Sequence, residues 1–413
     1  MKIGFTGPYS DNNLGDYAML VNDVMEISST ISEVEEIIIF TYNKEFIQNI
    51  VDSYLEIYPI KIVELKLKAE VQYVPNKSKK FEIEYVKRCM LPQEVCDYIA
   101  NSDTVENYIR NLDVVILGGG GCMNYYWLAR HRLGKLVSIL TPLILARRNN
   151  KRIITLGNTF GPWGECKGFF ELMFQYIDFD FISVRDDMGS ITALQQIGQN
   201  HKIRSVIDDL YFLDESLKTE DRLYKDRYMV LELYSSMAEL EAETEKIRAF
   251  AKSANEQGIQ VVFLAFGQGF GGEFQGEYLK KCIPEIVLLK NDSFLKIEDA
   301  WNVIKYAEYV ICDRYHALVL ATAAGTDCIM YLREIDGDRQ YYFNKSCGFL
   351  KKVLGESYLD ESDFLVLDRK NLLEPSAIAE KIRKQRKYIL SEKTNSDLKE
   401  QRTGKIKEMA GIR

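Results

Sequence analysis

Residues 307–325 read AEYVICDRYHALVLATAAG. The apolar run Tyr309–Cys312 predicts a buried strand, Asp313-Arg314-Tyr315-His316 a polar turn, and the small residues from Ala317 onward a helix. In an open parallel α/β sheet that order puts a cation and an imidazole at the carboxyl end of a strand, in the crevice where such sheets bind ligands. Backbone amides at the start of the helix favour an anion in the same place. His316 is one of only 3 histidines, so imidazoles available for acid–base work are few. Arg314 and His316 would equally serve to cap the helix and pair with carboxylates.

Working outward, short apolar runs alternate with helical patterns on both sides of this stretch. Lys2–Thr6, Glu36–Thr41, Leu112–Leu117, Arg152–Leu156, Phe179–Val184 and Ile203–Ile207 read as strands of a first α/β half spanning 1–215. The section from about Tyr54 to Asn111, with the charged run Lys77–Arg88, is less regular and reads as helical or as an insertion near 65–111. Asp214–Lys225 is charged and aperiodic, which marks a linker. A second half, 226–375, repeats the alternation with strands at Arg227–Leu233, Ile259–Ala265, Tyr309–Cys312, Cys328–Leu332 and Phe364–Leu367. The expected architecture is two Rossmann-like domains facing a cleft. The tail 376–413 carries 11 Lys or Arg against 5 Asp or Glu and reads as a basic terminal helix, with either a solvated face or a surface for anionic lipid or a partner.

Composition narrows the class. A chain of 413 residues with 46% hydrophobic and 28% charged residues has material for two or three cores. A net charge of -8 argues against nonspecific nucleic-acid binding. The eight cysteines, at 89, 96, 122, 166, 282, 312, 328 and 347, form no C-x-x-C pair, so neither zinc nor a disulfide ladder is expected and the expected metal count is none. No secretory pattern follows Met1, and no window approaches the ~18 apolar residues of a membrane span, so the expected location is cytoplasmic, with at most peripheral contact at the inner membrane face.

Several loops sit at the same predicted rim. Asn13-Leu14-Gly15-Asp16 joins the first strand to the first helix, where glycine permits close backbone approach and Asp16 can cap the helix. Gly118–Gly121 directly follows a buried strand, and four glycines cost folding entropy that a plain turn does not require, so Gly119, Gly120 and Gly121 are candidates for approach of a sugar or phosphate. Gly157-Asn158-Thr159-Phe160-Gly161-Pro162 follows the next strand. Ser183-Val184-Arg185-Asp186 ends the one after. Arg185 there can aim its fork at a carboxylate or phosphate, or can form a surface pair with Asp186 or Asp187.

Taken in order, NLGD (13–16), GGGG (118–121), GNTFGP (157–162), SVRD (183–186) and RYHA (314–317) resemble the polysaccharide pyruvyl transferase family over about residues 3–350. Asn158 stands where the family often has Gln, and Asp209-Leu210 where it often has Asp-Pro. The resemblance implies a GT-B-like fold and transfer of the enolpyruvyl part of phosphoenolpyruvate to a sugar of a lipid-linked or polymeric saccharide, forming a pyruvate ketal and releasing phosphate. It assigns Arg185, Arg314, Tyr315 and His316 to the donor, with phosphoenolpyruvate a co-substrate and no cofactor. Chemically, two arginines from opposite domains suit a small anion carrying about three charges. His316 is the expected acid for C3 of the donor, and Asp11, Asp16 and Asp186 are candidate bases. A GT-B glycosyltransferase using a nucleotide sugar, with Gly267–Gly272 near the diphosphate, and a catalytically idle binding protein are the competing readings. The acceptor sugar and the oligomeric state stay open.

Overall fold

The computed structural model describes residues 1–72, 90–267, 271–289, 293–335, 337–355, 361–386, 388 and 392–411. The run Lys77–Arg88 and most of the central part of Gly267–Gly272 lie outside the described residues. The first half contributes strands β1 (Lys2–Thr6), β2 (Glu36–Thr41), β3 (Ile60–Glu64), β4 (Val114–Leu117), β5 (Gly120–Met123), β6 (Arg152–Thr155), β7 (Asn158–Phe160), β8 (Ile182–Val184) and β9 (Ile203–Ser205). The second contributes β10 (Tyr228–Glu232), β11 (Gln260–Phe263), β12 (Val287–Leu288), β13 (Val310–Cys312), β14 (Cys328–Tyr331) and β15 (Leu365–Val366). Three sheets result, ordered β3-β2-β1-β4-β6, β5-β7-β8-β9 and β12-β11-β10-β13-β14-β15, with parallel strand pairs. This α/β architecture of parallel sheets places the site loops at the carboxyl ends of the strands.

The first two sheets are one sheet that splays. β5 continues β4 and β7 continues β6, each after two residues, and Ile154 still bridges Phe181 across the split. The gap is held open by a carboxylate. A Cβ at Gly119 would lie 1.8 Å from Asp209 Oδ2, one at Gly157 would lie 2.6 Å from Asp209 Oδ1, and Gly157 N donates to that oxygen at 3.2 Å. Glycine is required there because the wedge occupies the space of any side chain. Asn158, fully buried, ties the same corner by donating to Leu156, Gly118 and Leu117 carbonyls.

The halves share one apolar core. The helix Leu14–Thr30 is buried over most of its length, its apolar residues in the core and its Asn22 and Asp23 buried against polar partners. Its Leu14 N donates to Phe266 O at 2.8 Å, and Tyr17 packs edge-on against Phe294 at 5.5 Å. The linker 214–225 is fastened to the helix Ile297–Lys305, since Asn302 donates to Thr219 O and Asp221 O and accepts from Leu223 N.

Two expectations change. Within the irregular section, Ile60–Glu64 forms an edge strand on β2, because IKIVE alternates too briefly to stand out from its charged surroundings. The basic tail is not one solvated helix. Pro375–Gln385 packs on the second half, where Gln385 pairs with the backbone of Cys328. Glu392–Ala410 returns to the first half and buries Ile406 and Met409. Its Arg402, 4% exposed, meets Asp23 at 2.8 Å, Glu26 and Asp209.

Burial raises the carboxyls of Asp23 and Asp209, and Arg402 opposes that rise. Arg402→Ala is therefore expected to cost ~3–5 kcal/mol at pH 7, since it leaves buried carboxylates without a counter-charge. A carboxyl with a raised folded-state pKa takes its proton in the folded chain first, so the deficit shrinks as pH falls from 7 toward 5. Urea unfolding of both proteins across that range checks the sign.

Candidate active site

The carboxyl ends of both halves meet around a cavity of about 150 Å³. From the first half come Pro8, Asn13, Asp16, Gly121 and Arg185; from the second come Arg314, Tyr315, His316, Arg333, Tyr341, Tyr342 and Lys345. A wider depression of about 550 Å³, lined by Lys2, Glu36 and Ile60 among others, lies at the amino ends of β1, β2 and β3, the wrong end for a ligand crevice.

Arg185 leaves β8 fully buried. Its Nη1 donates to Asp208 Oδ2 at 2.8 Å and lies 3.2 Å from His316 Nε2, while Nε donates to Thr159 Oγ1 at 3.1 Å. Its Nη2 is buried with no hydrogen-bond partner among the described residues. Burial alone would push the Asp208 carboxyl up, but Arg185, then His316, hold it below the usual carboxylate range. The expected surface pair with Asp186 or Asp187 does not form. Asp186 instead caps the helix Ser190–Gln196, accepting from Gly189 N, Ser190 N and Ser190 Oγ.

The turn 313–316 is built on Glu232 at the end of β10. This buried carboxylate accepts from Asp313 N, Arg314 N and Arg314 Nε at 3.1, 2.9 and 2.9 Å. Arg314 Nη1 then crosses to the other half and donates to Asn13 Oδ1 at 3.1 Å, and Asn13 Nδ2 donates to Asp16. Gly15 presses flat against the imidazole, where a Cβ would lie 1.8 Å from His316 Nδ1. Burial, opposed by Asp208 and reinforced by Arg185, Lys345 and Arg314, keeps His316 well below the ordinary imidazole range. A neutral ring facing the Arg185 N–H must accept at Nε2 and carry its proton on Nδ1.

Asp16 and Lys345 complete the chemistry. Burial pushes the Asp16 carboxyl up to about 6, against the hydrogen bond from Asn13. Lys345, on the helix Gln340–Leu354, lies 4.0 Å over the Tyr315 ring, whose centroid is also 4.8 Å from the Arg185 guanidinium carbon. Burial, then Arg185, lower the ammonium well below its usual range. A Cβ at Gly121 would stand 2.5 Å from Tyr341 Oη, 3.7 Å from Arg185 Nη2 and 3.8 Å from Lys345 Nζ, so the glycine makes room for the tyrosine hydroxyl beside two cations.

The structure thus brings together Asn13, Gly15, Asp16, Gly121, Arg185, Arg314, Tyr315 and His316. Gly119, Gly120 and Asn158 do not reach the cavity. Gly119 faces Asp209, a Cβ at Gly120 would lie 2.6 Å from Pro8, and Asn158 is spent on backbone carbonyls. Asp11 pairs with Lys135 and Tyr42. Sequence reasoning missed Arg333 and Lys345. Arg333 follows β14 as Arg314 follows β13, so the strand-end rule would have found it; Lys345 sits in the apolar run SCGFL with only its charge to mark it. Among the described residues no group of three or more His, Cys, Asp or Glu forms a metal site, and no helix is long and apolar enough to cross a membrane.

Fold and site together define an α/β protein of the GT-B-like class with a cationic cleft between its halves. Solved structures agree on the fold. MnaA of S. aureus with UDP is 11% identical, TM-score 0.55, over 94% of this chain and 89% of that one. The UDP-GlcNAc 2-epimerase of Methanocaldococcus jannaschii is 12% identical, TM-score 0.52, over 95% and 94%. HepE of Anabaena with UDP and glucose is 10% identical, TM-score 0.51, over 98% and 94%. No curated protein matches the sequence. The chain belongs to the polysaccharide pyruvyl transferase family, whose sequence profile matches residues 13–334. It is a transferase by that membership.

Because an imidazole with a depressed pKa stays neutral where an ordinary one protonates, His316 is expected to keep the Nδ1–H tautomer through the range in which an ordinary imidazole titrates. Nitrogen-15 spectra resolve this readily in a chain with 3 histidines. An imidazolium signal at pH 6 would contradict the hydrogen bond to Arg185.

Proposed function

We propose that this protein transfers the enolpyruvyl group of phosphoenolpyruvate to a saccharide of a surface glycan, polymeric or lipid-linked, at the cytoplasmic side of the membrane, without a metal or cofactor. Family membership supports pyruvyl transfer to polysaccharide. The observation that supports the donor assignment is the small cavity beside Gly121, lined by Arg185, Lys345 and the Tyr341 hydroxyl, where Arg185 Nη2 has no hydrogen-bond partner among the described residues. A trianion of this size gains most from donors already fixed and desolvated.

Asp16 is the best-supported base, since its carboxyl sits in the cavity and its pKa of about 6 makes it ionised yet basic near neutral pH. It takes the proton of a sugar hydroxyl as that oxygen bonds C2 of the donor, while C3 gains a proton to become a methyl group. His316, the acid expected from sequence, has its Nε2 engaged with Arg185 and so orients the guanidinium in this arrangement. Lys345 is the better-placed acid, because burial weakens its hold on the proton. The C2–O bond to phosphate then breaks, a second hydroxyl closes the ketal at C2, and its proton passes to the departing phosphate, which leaves as the hydrogen phosphate dianion beside Arg185, while Asp16 returns its proton to Lys345.

Lys345→Met is the cleanest probe, because it removes a cation that forms no ion pair with a carboxylate among the described residues. Calorimetry is expected to show phosphoenolpyruvate affinity falling roughly 10-fold or more, by loss of a charge-assisted contact, while the melting temperature holds. UDP titrated in parallel tests the competing donor class; tight UDP binding without phosphoenolpyruvate binding would sink the reading. Asp16→Asn should leave donor affinity intact and cut kcat by about 10²–10⁴-fold. The wild-type rate should fall as pH drops below about 6, where Asp16 takes up its proton.

A further inference from the structure

Arg333 is an anomaly among the buried and half-buried arginines. Arg185, Arg314, Arg369 and Arg402 each contact a carboxylate. Arg333 contacts two tyrosine rings instead, with its guanidinium carbon 4.0 Å from the Tyr234 centroid and 4.3 Å from that of Tyr342. Its Nε is buried with no hydrogen-bond partner among the described residues, and no carboxylate among them lies within ion-pair reach of its fork. Burial works against its charge, while the tyrosines and the more distant Asp313 and Glu232 keep it cationic. A half-buried guanidinium with a buried, unmet donor is costly unless something absent from the folded chain completes it. Arg333 lines the same cavity as Arg185 and Lys345, and it contributes to lowering the Lys345 ammonium, which places the two charges near each other.

The two cationic ends of this cavity differ in shape. Beside Gly121 one guanidinium nitrogen, a compact ammonium and the Tyr341 hydroxyl come together, which suits a tetrahedral group with several charged oxygens. At Arg333 a planar fork is held between two rings, which suits a planar, two-oxygen anion taken edge-on. We propose that Arg333, clamped by Tyr234 and Tyr342, is the carboxylate-recognition arm of the donor site and confers selectivity for a phosphorylated enol acid over simple phosphate esters. This rests on the donor reading above and goes beyond it by dividing the donor's two anionic groups between two ends of one cavity.

The test is calorimetry on wild type, Arg333→Met and Arg333→Lys with three probes: phosphoenolpyruvate, oxalate as a planar carboxylate, and inorganic phosphate. Arg333→Met is expected to weaken phosphoenolpyruvate and oxalate by roughly 10- to 100-fold, the scale of a lost charge-assisted pair, and to leave phosphate unchanged. Arg333→Lys should restore little, because a point charge lacks the fork. The ligand-free Arg333→Met protein should melt at the wild-type temperature or above, since an uncompensated buried charge has been removed. Equal weakening of all three probes, especially with a lowered melting temperature, would mark a packing role and overturn the proposal, as would unchanged oxalate binding. If wild type binds oxalate through Arg333 but not phosphoenolpyruvate, the donor reading fails and the carboxylate arm stands. If wild type binds neither, both fail.

Discussion

Two adjacent buried carboxylates, Asp208 and Asp209, organise this molecule. Each is fully buried, and each is matched by a different arginine. Asp208 faces the cavity and fixes Arg185, which in turn fixes the tautomer of His316. Asp209 faces away, wedges between Gly119 and Gly157, and receives Arg402 from the last helix. Two like charges at successive residues are tolerable in a low-dielectric interior only when each has its own cation. The consequence is that the splay of the first sheet, the docking of the chain terminus and the orientation of the site arginine are one electrostatic problem with one solution.

The halves are joined through polar contacts that double as site geometry. Glu232 holds Arg314, Arg314 reaches Asn13, and Asn13 holds Asp16, so the base of one half is oriented by the turn of the other. Against this network stand Arg185 Nη2 and Arg333 Nε, buried donors with no hydrogen-bond partner among the described residues, and beside them the Lys345 ammonium. Polar groups left incomplete inside an otherwise satisfied structure are where a protein gives up stability to prepare for a ligand. Their convergence on one small cavity distinguishes this site from the many paired charges on the surface, which contribute little.

Much of the arrangement was legible in the chain. The alternation of apolar runs with helical patterns announced parallel α/β halves, because strands buried on both faces must be apolar throughout. The rim position of Arg185, Arg314 and His316 followed from the rule that loops at carboxyl ends of strands face the crevice. The glycines misled for a physical reason. Gly119, Gly120 and Gly121 are all required by close approach, but a sequence does not say what approaches: a carboxylate of the protein at Gly119, Pro8 at Gly120, and the Tyr341 hydroxyl at Gly121. Asp186 misled likewise, since a carboxylate before a short helix reads equally as a base or as a cap.

The sequence by itself determined the class of fold, the strand ends that bear the site, and the family, because these rest on local periodicity and on motifs whose order survives without coordinates. Only the tertiary structure decided which charges are matched. Arg402 and Asp209 lie 193 positions apart, Arg185 and His316 131. Pairing over such separations is fixed by how two sheets and a returning helix pack, and no local pattern encodes it. For the same reason Lys345 and Arg333 stayed hidden. A buried cation is recognised as functional by the absence of a partner, and that absence exists only once every neighbour has been placed.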